Sequence, residues 1–134
     1  MTAHRILQLN AIFTAGGAFG LLGARGILYP LFGLGSPLVL DVVAVGLLAY
    51  AGALTLAAAR RPVSRQVLMF FTAADAAWVV GSAVILLLYW TNLAPIARTM
   101  VIAVALAVEV FATLQFRAAG GFIPGEPARG VSRP

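Results

Sequence analysis

The chain has 134 residues, of which 62% are hydrophobic and 10% are charged, with a formal net charge of +5 and no cysteine. Soluble domains are about 25% charged, so this chain lacks the polar surface that a protein needs in water. The composition excludes an ordinary soluble domain, and the missing cysteine excludes disulfides, thiol redox chemistry and thiolate metal sites.

Four apolar stretches are long enough to cross a membrane. A bilayer core takes roughly 20 apolar residues of α-helix, and such stretches lie at residues 6–24, 38–59, 67–90 and 96–116. They are continuous rather than alternating, which argues against a transmembrane β-barrel. We predict an all-α membrane protein, an antiparallel bundle of four transmembrane helices within residues 1–119, with spans two and three as direct neighbours.

A secretory signal peptide is the alternative for residues 1–24. Gln8 and Asn10 interrupt its apolar region and no A-x-A cleavage site follows, so we interpret it as a retained helix. The segment 25–37 combines glycine and proline with apolar residues, and we expect it to lie along the external interface. Residues 120–134 are rich in the same helix breakers, which predicts a flexible cytoplasmic tail.

The basic residues indicate the orientation. All nine are arginine. Arg25 and Arg98 fall on one side of the predicted spans, and the other seven fall on the opposite side. Basic loops stay in the cytoplasm, so both termini are expected there. The positive charge then indicates contact with lipid headgroups and not with nucleic acid.

Two acidic residues lie deep within the spans. Asp75 is about 12 Å from the cytoplasmic end of span three, and Glu109 is about 10.5 Å from the end of span four. A charged side chain at such a depth costs roughly 2.5–3.5 kcal/mol on insertion scales. Other polar residues of the spans lie at a similar height, and we expect them to form an intramembrane cluster with the two acids: Asn10, Thr14, Thr55, Thr72 and Thr113.

This polar cluster allows two interpretations. Two neighbouring carboxyls could share a proton, as in proton-coupled carriers. Alternatively, they are hydrogen-bonded side chains that hold helices together. Tyr50 and Trp78 also need hydrogen-bond partners, and either core packing or a pocket would explain them.

A third acid, Asp41, lies near the external start of span two. It either occupies the first helical turn, where the helix dipole favours negative charge, or forms an ion pair with Arg25 or Arg98.

Catalytic and cofactor motifs are missing from the sequence. The only histidine is His4, before the first span, which excludes haem ligation by two histidines of one chain. No metalloprotease, phosphate-loop or serine-hydrolase motif occurs. Two carboxylates without histidine are a weak metal-binding signal. We therefore predict no cofactor, no metal and no catalytic residue.

Two stretches and the overall pattern of the chain resemble known membrane proteins. The run from Ala15 to Gly20 resembles the opening of small bacterial fluoride channels, although span three lacks their Thr-Thr-Phe-Ser break. The run from Ala107 to Thr113 is similar to the glutamate helix of small multidrug-resistance transporters, which is their first helix and not their fourth. The whole pattern, including Ala74 to Val79 and a last span ending in Gln115, most resembles small four-span bacterial inner-membrane proteins. That resemblance implies a bacterial inner membrane, and no substrate.

Three classes of function remain for the chain. The first is a non-catalytic membrane protein, either an accessory subunit or a self-associating bundle, since small residues at helix-packing spacing are abundant. The second is a small proton- or cation-coupled transporter or channel that uses Asp75 and Glu109. The third is an enzyme acting on lipid or quinone, which the missing histidine and cysteine disfavour. The expected partners are the lipid bilayer and a homo-oligomer or larger membrane complex.

Overall fold

The computed structural model describes residues 1–121, which form four α-helices. They are α1 (Ala3–Leu31), α2 (Leu38–Ala59), α3 (Arg65–Tyr89) and α4 (Pro95–Ala118). Each helix is long and apolar enough to cross a membrane. The predicted all-α membrane fold, a bundle of four transmembrane helices, is confirmed.

The helices follow the apolar stretches, with one difference in α1. This helix continues to Leu31, so half of the segment 25–37 is helix and not an interfacial connection. Its glycines do not end the helix, because a lipid-facing helix has its backbone hydrogen bonds satisfied internally. Pro30 lies in the last turn of α1, next to the C-terminal residue of the helix. The part of the predicted tail beyond residue 121 lies outside the described residues.

The helices pack as two hairpins that meet along α1 and α4. Helix α1 packs along α2, α3 packs along α4, and α1 also contacts α4. The prediction that spans two and three are neighbours holds through side chains only, since the backbones of α2 and α3 are not among the closely packed pairs. Their connection is through long side chains, notably the edge-on contact of Tyr50 with Phe71, whose ring centroids are 5.6 Å apart.

The apolar core is small and lies toward the end of the bundle that holds the N-terminus. It consists of buried residues from α1, α2 and α3 and of the residue that follows α4: Leu7, Ala11, Leu54, Ala58, Leu68, Phe71 and Ala119. Much of the remaining apolar surface points outward, and Leu87 is 82% exposed. Lipid tails solvate such a surface as well as a protein core does, so helix packing here depends on close contact and polar bonds.

The α1–α2 and α3–α4 connections contact each other at the opposite end of the bundle. The Ala94 amide donates to the Leu31 carbonyl at 2.9 Å, which joins the α3–α4 connection to the end of α1. Gly33 has a φ of +68°, a left-handed conformation, and a Cβ there would lie 2.8 Å from the Asn92 carbonyl oxygen. Only glycine fits this position without displacing the backbone.

We expect Gly33→Ala to lower the free energy of unfolding by about 2–3 kcal/mol, because it adds left-handed strain and a backbone clash. Unfolding in mixed micelles by added denaturing detergent measures the change. Gly35→Ala is the matched control, since a Cβ at Gly35 meets nothing within 4 Å. Equal stability of the two variants would contradict the packing of the two connections.

Candidate functional site

Asp75 lies in the centre of the bundle and is only 3% exposed. It stands two residues before the midpoint of α3, about 3 Å along the helix axis. Within residues 1–121, no arginine pairs with it, since the ion pair there joins other residues. A carboxyl at this depth without a cation must be stabilised by hydrogen bonds.

Three side chains donate to this carboxyl, each from a different helix. Asn10 Nδ2 on α1 and Gln115 Nε2 on α4 both donate to Asp75 Oδ2 at 2.8 Å. The Tyr50 hydroxyl on α2 donates to Asp75 Oδ1, also at 2.8 Å. The acid on α3 therefore connects all four helices. We call Asp75, Asn10, Tyr50 and Gln115, together with Thr14, the carboxyl cluster.

Helical spacing on α4 brings Gln115 to the acid. Val108, Ala112 and Gln115 share one inward face, at intervals of four and three residues. The alanine side chain lets the backbones approach, as small residues do in transmembrane packing. Gln115 is completely buried as a result.

On α1, Asn10 and Thr14 lie one turn apart on the buried face. The Thr14 hydroxyl donates to Asn10 Oδ1 at 3.2 Å, while the Asn10 amide donates to the acid. Both ends of the Asn10 side chain are thus bonded, which fixes its orientation. A polar side chain with both ends satisfied is stable in an apolar interior.

Tyr50 has a choice of acceptors. Its hydroxyl lies 2.8 Å from Asp75 Oδ1 and 3.4 Å from the Phe71 carbonyl oxygen, one turn earlier on α3. The hydroxyl can therefore donate to the backbone while it accepts a hydrogen bond from the protonated acid, or it can donate directly to the carboxylate. This arrangement accommodates both the charged and the neutral acid.

One buried atom of the cluster has no partner among the described residues. It is Gln115 Oε1, the other end of the amide that donates to Asp75. A buried acceptor without a bond costs about 1–3 kcal/mol. Gln115 thus contributes one good bond and one unsatisfied atom.

Glu109 is not part of the carboxyl cluster. Of the seven residues that the sequence predicted to lie together, only Asp75, Asn10 and Thr14 do so. Glu109 and Thr113 are exposed on α4, since they lie on a different side of the helix from Ala112 and Gln115.

The two other predicted threonines bond within their own helices. The Thr55 hydroxyl donates to the Ala51 carbonyl, and the Thr72 hydroxyl donates to the Leu68 carbonyl, both at 2.8 Å. Neither reaches the acid.

Of the two arginines considered for Asp41, the structure uses Arg25. One guanidinium nitrogen of Arg25 donates to both carboxylate oxygens, at 2.8 and 2.9 Å, and joins α1 to α2. Arg98 is elsewhere: its guanidinium lies 4.4 Å from the centre of the Trp90 ring, and its Nε donates to the Leu93 carbonyl. The Arg25 pair is half exposed, and pairs of this kind contribute little.

Sequence reasoning missed the role of Gln115 and left that of Tyr50 open. The available signal was helical spacing, because Gln115 follows Val108 and Ala112 on one face of α4, at intervals of four and three residues. Tyr50 was identified as needing a partner, but no spacing within α2 points to a carboxyl on α3.

Two surface grooves on the described part of the chain do not reach the acid. Both are shallow and open, and Asp75 lines neither of them. One runs between α1 and α2 beside Ala11 and Gly52, and the other lies between α2 and α3 beside Ala57 and Phe70. Residues 1–121 also hold no group of three or more acidic or histidine side chains that could bind a metal.

Comparison with protein-family models, with curated proteins and with solved structures finds no match to this chain.

We expect Asp75→Ala to lower the free energy of unfolding by about 3–5 kcal/mol, because three buried donors lose their acceptor at once. Thr72→Ala, one turn away on α3, should change it by less than about 1 kcal/mol, because that hydroxyl bonds only to its own helix. Unfolding titrations in mixed micelles measure both. A small effect of Asp75→Ala would show that the carboxyl cluster does not hold the bundle together.

Proposed function

We propose that the protein acts without catalysis, as a helical bundle that associates with other helices in the membrane. The partners are copies of itself or the subunits of a larger complex. The observation that carries the proposal is the sealed and hydrogen-bonded state of Asp75, because this acid is the buried ionisable group that a transport mechanism would need.

A carrier has to expose its acid to water on at least one side of the membrane. Asp75 is 3% exposed, and its two oxygens accept from three other helices. Opening a path to it would break bonds that join the whole bundle. This supports a structural role for the acid over transport.

The outer surface supports association. Gly16, Gly17 and Gly20 on α1 are exposed, and a Cβ on any of them would meet nothing within 4 Å. Small residues on a transmembrane surface allow another helix to approach closely. Glu109 is exposed as well, and a carboxyl facing lipid is unfavourable unless another group covers it.

The proposed location is the inner membrane of a bacterium, with both termini in the cytoplasm. The arginines support this orientation. Arg5, Arg60, Arg61, Arg65 and Arg117 lie at the end of the bundle that holds the N-terminus. Arg25 and Arg98 lie toward the opposite end.

We expect the purified protein in liposomes to conduct no protons or monovalent cations above the rate of empty vesicles, because Asp75 is buried and hydrogen-bonded to three other helices. A vesicle-trapped pH dye, with an imposed pH or potassium gradient, measures the flux. A flux that Asp75→Asn abolishes, and that Asp41→Asn leaves intact, would overturn the proposal in favour of a transporter.

Association is tested by counting subunits. We expect dye-labelled protein in lipid vesicles to shift from one to several copies per complex as the protein-to-lipid ratio rises. Stepwise photobleaching counts the copies. Single copies at every ratio would exclude self-association and leave only the accessory role, in which a different membrane protein is the partner.

A further inference from the structure

A regular stripe of residues follows the outer side of α4. Its members are spaced alternately by three and four residues and are all exposed. We call them the α4 outer stripe: Thr99, Ile102, Leu106, Glu109, Thr113 and Phe116.

This spacing is the heptad pattern of helices that pack side by side. Residues three and four apart lie on one face of a helix and make a narrow seam that a second helix can follow. The inward face of α4, with Val108, Ala112 and Gln115, is already used within the bundle. The outer stripe is therefore separate from the face that α4 uses within the bundle.

The stripe has a polar centre. Glu109 and Thr113 are one helical turn apart, and within residues 1–121 the Glu109 carboxyl has no ion pair. Glu109 lies about 4 Å from the midpoint of the 24-residue helix, where a carboxyl facing lipid is most unfavourable. A covering helix must supply a hydrogen-bond donor or acceptor at this height.

A second copy of the chain supplies both a hydrogen-bond donor and an acceptor at this height. The arginine distribution inserts every copy in the same orientation, so two α4 helices can meet only in parallel. In a parallel pair with two-fold symmetry, each residue of the stripe lies opposite its own counterpart. Glu109 then faces Glu109 of the other copy with both threonine hydroxyls nearby, and the two carboxyls can share a proton.

We propose that the α4 outer stripe is the contact between two copies of this chain, with Glu109 and Thr113 setting the register. This inference rests on the proposed function and names its partner. A single polar position within a heptad seam is a known means of fixing register and oligomeric state.

Single cysteines test the contact directly, because the natural chain contains none. Leu106 lies in the stripe and is 64% exposed, and Phe19 lies beside the α1 glycines, the competing surface for a contact between copies, and is 63% exposed. Under oxidation in native-like membranes, we expect Leu106→Cys to form a disulfide dimer and Phe19→Cys to remain a monomer. Helix content by circular dichroism checks that both variants fold.

The polar pair is tested by substitution. Glu109→Leu should weaken dimerisation in vesicles about tenfold, the loss expected from interhelical hydrogen bonds. Glu109→Gln, which still donates and accepts, should retain most of it. The matched control is Val110→Leu, an exposed neighbour outside the stripe, which should dimerise like the natural chain.

The outcomes separate this inference from the proposed function. Copies that associate but cross-link through Phe19→Cys and not Leu106→Cys would overturn the α4 contact while self-association stands. Cross-linking of Leu106→Cys only to a different protein would replace the second copy with another subunit. Dimers that Glu109→Leu leaves unchanged would remove the role of the acid. Single copies at every protein-to-lipid ratio would overturn the contact together with self-association.

Discussion

The bundle depends on one carboxyl that receives hydrogen bonds from every other helix. In water the hydrophobic effect would hold four such helices together, but in lipid the surroundings are as apolar as the side chains. The packing therefore relies on close contact and on directional bonds. Asp75 supplies those bonds at a single point, and Asn10, Tyr50 and Gln115 converge on it at 2.8 Å. This explains how a small apolar core can suffice.

The two membrane-embedded acids show how helix rotation decides the role of a residue. Asp75 and Glu109 lie at similar depth, close to the midpoints of their helices. One faces the bundle axis and is enclosed by amides and a hydroxyl. The other faces outward beside Thr113, with an exposed carboxyl. The same chemical group therefore joins helices inside the bundle, and on the outside it is the group on which the proposed contact with a second copy depends.

The apolar lengths predicted the four helices well, because spanning a bilayer demands about 20 apolar residues whatever the partner. The need of Asp75 for polar neighbours also followed from the sequence, and Asn10 was among those expected. The rotation of α4 could not be predicted, since it depends on how Ala112 packs against the other helices. That one angle removed Glu109 from the cluster and brought Gln115 into it.

The placement of the three donors also bears on how the chain is made. Helices enter the membrane in the order of synthesis, and N-terminal segments fold first. Asn10 and Tyr50 are therefore already within the bilayer when α3 arrives with its acid, so Asp75 meets two donors on entry. Gln115 comes last. Its bond to the acid completes the set of hydrogen bonds that joins the four helices, and it leaves the side of α4 that carries Glu109 facing outward.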